Sequence, residues 1–125
     1  MRVRELPPGR LQSITPATTL SATARHMRVE DCDSVAVMDG GRLLGIITER
    51  DLVRSIADGL DPEEATADVV MSASPATVGE DEDVSVVAMK MMRLGVRHMP
   101  VVNDAGVPVG LLSAKELVTI LDRRT

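Results

Sequence analysis

The sequence predicts an α+β fold built from two copies of one β-α-β-β-α unit. The first supporting observation is a repeat, because "GIITERDL" (45–52) returns as "GLLSAKEL" (110–117). The second is that short apolar runs alternate, in both copies, with apolar residues at helical spacing. Two helices on one face of a three-stranded sheet leave its other face open. We therefore expect the copies to pack sheet to sheet with pseudo-twofold symmetry.

The repeat keeps a constant offset on each side of one turn. Gly45 and Gly110 are 65 positions apart, whereas Met27 and Met91, upstream of the turn, are 64 positions apart. The offset changes by one residue within the turn at residues 39–41 of the first copy, because the length of a hairpin turn can vary. An insertion confined to a turn indicates that the repeat is real.

Each copy is predicted to contain a short extended piece, a helix, two strands around a turn and a second helix. We place the first repeat at residues 5–58, a linker with one short helical turn at 59–73, and the second repeat at 74–122. The apolar helix positions are Leu20, Ala24, Met27, Leu52, Val53 and Ile56 in the first copy, and Val84, Val87, Met91, Leu117, Ile120 and Leu121 in the second.

The composition restricts function and partners. A net charge of −5 without clusters of Lys or Arg opposes binding to nucleic acid or to anionic membranes. The sequence has neither an apolar span nor a signal peptide, so we expect a cytoplasmic protein. One cysteine and two histidines offer no usual metal-ligand spacing, and no catalytic motif is present, so we expect neither a metal site nor an enzyme. Without Phe, Tyr or Trp, any bound ring must lie between aliphatic side chains.

A hydroxyl residue stands three positions before an acid at the end of each copy's last strand. These pairs are Thr48 with Asp51 and Ser113 with Glu116. One interpretation is a capping box that satisfies the first free N–H groups of the next helix. The other is a ligand site, because the positive end of a helix attracts anions and a carboxylate can hold a sugar. The spacing alone leaves both interpretations open.

Two further features have structural explanations. Met89, Met91, Met92 and Met99 are predicted to fill gaps in a core without aromatic residues, rather than to bind a soft metal. The acidic run "GEDEDV" (79–84) is predicted to place negative charge at a helix N-terminus rather than to bind a cation.

The tandem units, with "LGIITERDL", "GVRHMPVV" and "VGLLSAKEL", resemble a pair of cystathionine-β-synthase (CBS) domains, together called a Bateman module. The resemblance covers about residues 5–122, so we expect no attached catalytic domain. Many members of this family bind an adenosyl compound such as AMP, ADP, ATP or S-adenosylmethionine, and others bind nothing known. The resemblance therefore implies a stand-alone regulatory module that responds to such a ligand by conformational change. It also implies a homodimer, which would cover the apolar stripes of the outer helices.

The resemblance implies that each copy contributes three pieces to a ligand site between the repeats. These are the extended pair before the first helix, a Gly-apolar-x-x-apolar-Pro segment, and the final Ser/Thr-x-x-Asp. We expect adenine to lie among Ile14, Val35, Ile46 and neighbouring aliphatic side chains. The predicted ligand-binding residues are Ser13, Ile14, Asp33, Val35, Ile46, Thr48, Arg50, Asp51, Thr77, Val78, Val96, Arg97, His98, Pro100, Ser113 and Glu116.

Both copies depart from the family pattern, in complementary ways. In the first copy, Asp31 stands where the pattern has Gly, and acids in this segment would repel a phosphate. In the second copy, Glu116 replaces the Asp that would hold the ribose. These departures favour one good site, in which Asp51 holds the ribose and the phosphate points toward Arg97 and His98.

The alternative function is a structural dimerisation or docking module with vestigial clefts. Asp31, Asp33 and Glu116 favour this alternative, whereas the intact Thr48 and Asp51 pair and the segment "GVRHMP" (95–100) oppose it.

Overall fold

The chain forms two compact units in a computed structural model that describes residues 1–6 and 11–123. The first unit comprises residues 11–75, and the second comprises 1–6 together with 76–123. With two sheets and five α-helices among the described residues, the structure confirms the predicted α+β class. The packing of one sheet on the other stays a prediction. No described helix has both the length and the apolar character needed to span a bilayer.

The first unit is one four-stranded sheet with three helices. Its elements in chain order are β1 (Ser13–Ile14), α1 (Leu20–Glu30), β2 (Ser34–Asp39), β3 (Arg42–Thr48), α2 (Glu49–Ala57), α3 (Ala67–Val70) and β4 (Ser72–Ala73). The strand order is β1-β2-β3-β4; β1 runs parallel to β2, and the other neighbouring pairs are antiparallel.

The second unit has a three-stranded sheet and two α-helices. Its elements in chain order are a 3-10 turn (Val3–Glu5), β5 (Val78–Gly79), α4 (Val84–Leu94), β6 (His98–Val102), β7 (Pro108–Ser113) and α5 (Ala114–Arg123). The strand order is β5-β6-β7, with β5 parallel to β6 and β6 antiparallel to β7.

The two hairpins have the same register, which confirms the alignment of the repeat. Ser34 lies opposite Thr48 in the first unit, and His98 lies opposite Ser113 in the second. The first hairpin closes with Gly40-Gly41, whose φ angles of 57° and 81° suit a tight two-residue turn of type I′. The second hairpin closes with a longer turn, so the extra residue lies where the sequence predicts it.

One face of each sheet packs against helices and forms the core. Strand residues join helix residues in both clusters, so the clusters identify the helix-facing side of each sheet. The core of the first unit contains Ile14, Met27, Val35, Val37, Ile47 and Ala67. The core of the second unit contains Val3, Val78, Val84, Val87, Met91, Met99, Val101, Leu112 and Leu117.

The predicted linker is partly built into the first unit. Its short helical turn is α3, which buries Ala67 completely. The following strand, β4, pairs with β3 at Gly45. A Cβ atom at Gly45 would lie 2.7 Å from the carbonyl oxygen of Ser72, so only glycine allows this close pairing without a shift of the backbone.

The N-terminal segment, Met1–Leu6, packs on the second unit. Val3 is 5% exposed and joins the core of that unit, as Ala67 joins the core of the first unit. Val3 and Ala67 are 64 positions apart, so the structural repeat includes a helical turn that the β-α-β-β-α pattern lacks. On the surface, Arg4 Nε donates to Asp81 Oδ1 over 2.7 Å.

Several apolar helix residues are exposed. Met91 and Met99 are buried as predicted, but the prediction of core filling is wrong for Met89 and Met92, whose exposed fractions are 68% and 83%. The buried side of α4 follows the stripe of Val84, Val87 and Met91, and the other two methionines fall outside it. Further exposed residues from the predicted apolar positions are Ala24, Val53 and Ile56.

Candidate functional site

Two equivalent candidate sites lie where the last strand of each repeat meets the following helix, at the starts of α2 and α5. At the first, Thr48 ends β3 directly opposite Ser34. At the second, Ser113 ends β7 directly opposite His98. Directly opposed residues of antiparallel strands project from the same face of a sheet, so each pair forms one polar edge beside a helix start.

The first helix start contains a complete capping box. The N–H of Thr48 donates to Asp51 Oδ2 over 2.8 Å, and the N–H of Asp51 donates to Thr48 Oγ1 over 3.4 Å. The Thr48 hydroxyl also donates to Asp51 Oδ2, over 3.2 Å. The capping interpretation is therefore confirmed here. Within residues 1–6 and 11–123, Asp51 Oδ1 has no hydrogen bond, which leaves an acceptor for a ligand.

The second helix start contains the same capping box with a longer acid. The N–H of Ser113 donates to Glu116 Oε1 over 3.3 Å, and the N–H of Glu116 donates to Ser113 Oγ over 3.1 Å. The capping interpretation is confirmed for this pair as well. The two acids differ in their surroundings, because Asp51 is half-buried and Glu116 is exposed.

The loop before β2 accepts one backbone N–H of α2, and the loop before β6 accepts one backbone N–H of α5. The N–H of Glu49 donates to the carbonyl oxygen of Asp33 over 3.0 Å, and the N–H of Ala114 donates to that of Arg97 over 2.8 Å. Together with the capping boxes, these bonds use two of the first three N–H groups of each helix. An anion at either helix start therefore depends more on nearby side-chain charge than on free backbone donors.

Ser34 is a candidate site residue that the sequence analysis missed. It is 6% exposed, and its hydroxyl has no hydrogen-bond partner among the described residues. No fully buried side-chain oxygen in the described part of the chain lacks a partner, so this hydroxyl keeps contact with solvent. The signal was available, because the offset of 64 aligns Ser34 with His98 and strand alternation places it on the same face as Thr48.

The structure does not bring the predicted adenine neighbours together on one face. Ile14 and Val35 belong to the helix-facing core of the first unit. Ile46 lies directly opposite Ala36 in the hairpin, on the other face, which is also the face of Thr48. Strand alternation therefore separates the predicted adenine neighbours onto opposite faces of the sheet. The apolar residues on the same face as Thr48 are therefore Ala36 and Ile46, which are buried, with exposed fractions of 0% and 3%.

In the second unit, three predicted residues share the face that carries the candidate site. His98, Pro100 and Ser113 alternate with core residues along β6 and β7. Val78 lies in the core instead. Residues 96–97, in the loop before β6, are exposed.

The remaining predicted residues lie around the two sites. Ser13 is exposed and pairs with the strand β2. Thr77 is its equivalent in the second unit, and the carbonyl oxygen of Thr77 accepts a hydrogen bond from Lys90 Nζ over 3.1 Å. Asp33 and Arg50 are both exposed beside the start of α2.

Asp31, which stands where the family pattern has Gly, is the C-cap of α1. Asp31 ends α1 in the left-handed region, with φ 53°, and Gly95 ends α4 with φ 69°. Glycine adopts this conformation without a steric penalty, and aspartate is among the few other residues that tolerate it. The first unit thus keeps the backbone shape of the pattern while adding a negative charge.

The loop before β2 is a region of negative charge. Burial raises the pKa of the Cys32 thiol, the N–H of Ser34 opposes this shift, and the carboxylates of Asp33, Glu30 and Asp31 raise the pKa further. Among the described residues, no group of three or more His, Cys, Asp or Glu side chains could hold a metal ion.

Two repeats with equivalent capped helix starts define a tandem-repeat α+β module. The family model for the CBS domain matches residues 3–58 and 67–123. The chain belongs to the CBS domain family.

Two relatives indicate how widely the module occurs. An uncharacterised protein of Methanopyrus kandleri is 32% identical over 108 residues, which cover 85% of this chain and 55% of the relative. A CBS domain-containing protein of Arabidopsis thaliana is 34% identical over 107 residues, which cover 84% of this chain and 20% of the relative. The chain thus spans about half the length of the first relative and a fifth of the second.

Two solved structures are similar over nearly the whole chain. A CBS domain protein from Pyrobaculum aerophilum, complexed with AMP, is 26% identical with a TM-score of 0.85, covering 98% of this chain and 99% of that chain. A CBS domain pair complexed with 5′-methylthioadenosine and S-adenosylmethionine is 22% identical with a TM-score of 0.90, covering 100% of this chain and 98% of that chain. The second likeness shows the fold alone.

Proposed function

We propose that the chain is a regulatory module that binds an adenosyl ligand, such as AMP, ADP, ATP or S-adenosylmethionine, and responds by conformational change. Family membership and the likeness to a protein complexed with AMP support this proposal. The observation that carries it is the first helix start, where neither the Ser34 hydroxyl nor Asp51 Oδ1 has a hydrogen-bond partner among the residues that the structure describes. The proposal gives the chain a regulatory role rather than a catalytic one.

The first helix start is suited to hold a ribose. Asp51 Oδ2 is fixed in the capping box, so Oδ1 is held in place to accept a charge-assisted hydrogen bond from a ribose hydroxyl. Such preorganisation reduces the entropy cost of binding. The adenine ring would pack on aliphatic side chains, because the chain has no aromatic side chain to stack on.

The second helix start is suited to a phosphate. Arg97 carries a full positive charge beside the start of α5, and His98 lies opposite Ser113. Both side chains can donate hydrogen bonds to phosphate oxygens.

A panel of adenosyl ligands tests the proposal. Thermal unfolding is followed with AMP, ADP, ATP, NAD, 5′-methylthioadenosine and S-adenosylmethionine. A ligand at a hundred times its dissociation constant stabilises the folded chain by about 2.7 kcal/mol. The absence of stabilisation with all of these ligands would contradict the proposed function.

Asp51→Ala with Glu116→Ala as its matched control tests the residue assignment. Each substitution removes the acid of one capping box, so each should lower the free energy of unfolding by about 0.5–1 kcal/mol. We expect calorimetry to show at least about a tenfold loss of affinity with Asp51→Ala, because the charge-assisted bond to the ribose disappears. An affinity of Asp51→Ala equal to that of the unsubstituted chain would remove Asp51 from the site.

The second candidate function is a structural dimerisation or docking module with vestigial clefts. Two observations favour it: both hydroxyl and acid pairs are used in capping boxes, and α4 exposes the apolar residues Val86, Met89 and Met92. A homodimer of this kind would form without a ligand. Sedimentation showing a ligand-independent dimer, together with no response to the ligand panel, would favour this candidate.

A further inference from the structure

We propose that the thioethers of Met89 and Met92, on the exposed side of α4, form a modification site for a hydroperoxide oxidant such as hydrogen peroxide. The product at each side chain is methionine sulfoxide. Oxidation turns an apolar surface of the second unit into a polar one while the fold stays intact. No adenosyl ligand takes part in this reaction, so the site is independent of the proposed function.

Met89 and Met92 have the most exposed methionine side chains in the described part of the chain. Their exposed fractions are 68% and 83%, whereas Met1 is 38% exposed. Met91 is 2% exposed, because it lies on the buried side of the same helix. Residues three apart on a helix are neighbours, so Met89 lies between Val86, which is 52% exposed, and Met92. Solvent thus reaches two thioethers within one turn of α4.

The reaction at each sulfur is a two-electron oxidation. A lone pair of the methionine Sδ attacks the terminal oxygen of the hydroperoxide, so that an S–O bond forms and the O–O bond breaks. The proton of the transferred oxygen moves to the leaving oxygen, which departs as water or as an alcohol. The sulfur is oxidised, the hydroperoxide is reduced, and the side chain gains one oxygen atom.

The single thiol of the chain competes poorly for the same oxidant. The thiolate is the reactive form of a cysteine. Cys32 is half-buried, and burial raises the pKa of its thiol. The N–H of Ser34 opposes this shift, and the carboxylates of Asp33, Glu30 and Asp31 raise the pKa further. The thiolate is therefore disfavoured, and the exposed thioethers are the preferred target.

The first repeat shows that the fold does not require thioethers at these positions. The offset of 64 makes Arg25 and Arg28 the equivalents of Met89 and Met92. Both arginines are exposed on α1. The two positions contribute to neither core, so the pair of methionines is a property of the surface of the second unit.

Oxidation changes the surface of α4 rather than its core. A sulfoxide is polar, and both side chains already lie in solvent, so the change leaves the packing of the helix as it is. The apolar area that Val86, Met89 and Met92 expose together becomes smaller, which weakens adsorption to apolar surfaces. Oxidant reaches a buried methionine such as Met99 only when the core opens.

Peptide mapping by mass spectrometry, after timed exposure of the full chain to hydrogen peroxide, tests the inference. We expect Met89 and Met92 to be oxidised at least about tenfold faster than Met91, because Met91 reacts only from an opened core. Met91 is an internal control from the same helix, and fragment-ion spectra distinguish it from the adjacent Met92. Circular dichroism of the oxidised chain should show the thermal unfolding midpoint of the parent chain.

Two double variants test what the site does to the surface. Met89→Leu with Met92→Leu removes both thioethers and keeps a similar apolar volume. Retention on a hydrophobic-interaction column should fall after peroxide treatment of the parent chain and should stay constant for this variant. Arg25→Met with Arg28→Met is the matched gain of the site on α1, and its new thioethers should be oxidised at rates within about threefold of those of Met89 and Met92.

Three results would overturn the inference. The first is oxidation of Met89 and Met92 no faster than that of Met91. The second is oxidation of Cys32 ahead of both exposed methionines. The third is a parent chain that carries both sulfoxides and either unfolds or keeps its original column retention. Fast oxidation confined to the exposed methionines, with lower retention and an unchanged unfolding midpoint, would support the inference.

Discussion

Helices α1 and α4 are both 11 residues long and both end in a left-handed residue, yet that residue is Asp31 in one unit and Gly95 in the other. Their exposed sides diverge further, because the equivalents of Met89 and Met92 are Arg25 and Arg28. The buried sides, in contrast, keep the same spacing, and only Thr23 of α1, which is equivalent to Val87 of α4, is polar. The comparison teaches that one backbone can be preserved by its core while its surface chemistry changes independently.

The same contrast applies at the candidate sites. Both helix starts keep a complete capping box, which is a local structural requirement of the helix. The residues beside the boxes differ in charge, with Asp33 at the first start and Arg97 at the second. The cap therefore explains why a hydroxyl and an acid recur, and the neighbouring charges distinguish the sites.

Val3→Ala tests whether the N-terminal segment, Met1–Leu6, completes the second unit as α3 completes the first. Of the predictions made here, it should have the largest effect on stability. Val3 fills the core of the second unit as Ala67 fills that of the first. Truncation removes buried methyl groups and leaves a cavity, so we expect the free energy of unfolding to fall by about 2 kcal/mol. Chemical denaturation measures the change.

Arg4→Ala is the control within the same segment. Arg4 makes an exposed ion pair with Asp81, so its loss should cost less than about 0.5 kcal/mol. If Val3→Ala were as mild as this control, the N-terminal segment would not be an integral part of the second unit. Val3 and Ala67 would then not be equivalent core residues of the two units.

Exchanging the C-cap residues sharpens the comparison of α1 with α4 and should have an intermediate effect. Asp31→Gly should raise the free energy of unfolding by about 0.5–1 kcal/mol, because glycine adopts φ 53° freely and the acid leaves the negative end of the helix dipole. Gly95→Asp should lower it by about 1 kcal/mol at φ 69°. Denaturant titration of both variants measures these changes, and a loss of stability in Asp31→Gly would contradict the account.

Titration with acid compares the N-cap of α4, Asp83, with that of α1 and should show the smallest effect on stability. Hydrogen bonds from the hydroxyl and the N–H of Ser85 lower the pKa of Asp83 from its ordinary value of 3.8 to about 2. The folded pKa lies below the unfolded one, so this contribution to stability is present above about pH 3.8 and is lost as the pH falls through about 2. The N-cap of α1 is Thr19, which does not titrate in this range.

Nuclear magnetic resonance can follow this difference between the helix starts. The N–H signal of Ser85 should shift as Asp83 is protonated, whereas that of Ala22, which donates to Thr19, should not follow the same curve. Asp83→Asn should abolish the shift while keeping a capping side chain. A midpoint for Ser85 near the ordinary aspartate value would contradict the lowered pKa.

Much of the fold follows from local patterns that the sequence displays. The constant offset predicted the equivalent pairing of Ser34 with Thr48 and His98 with Ser113, because a hairpin register depends on its two strands and its turn. The N-cap of α4 by Asp83 also follows from nearby residues. Less of the candidate site could be predicted, since the strand pairing decides that Ile14 and Val35 lie on one face of the sheet and Ile46 on the other.

The sequence by itself determined the repeat, the class of fold and the positions of the two hydroxyl and acid pairs, because each depends on residues close together along the chain or on a constant spacing between copies. Only the tertiary structure decided that Val3 completes the core of the second unit and that the Ser34 hydroxyl has no partner within residues 1–6 and 11–123. Both depend on contacts between distant segments. Local periodicity fixes which way a side chain projects, but not which segment meets it.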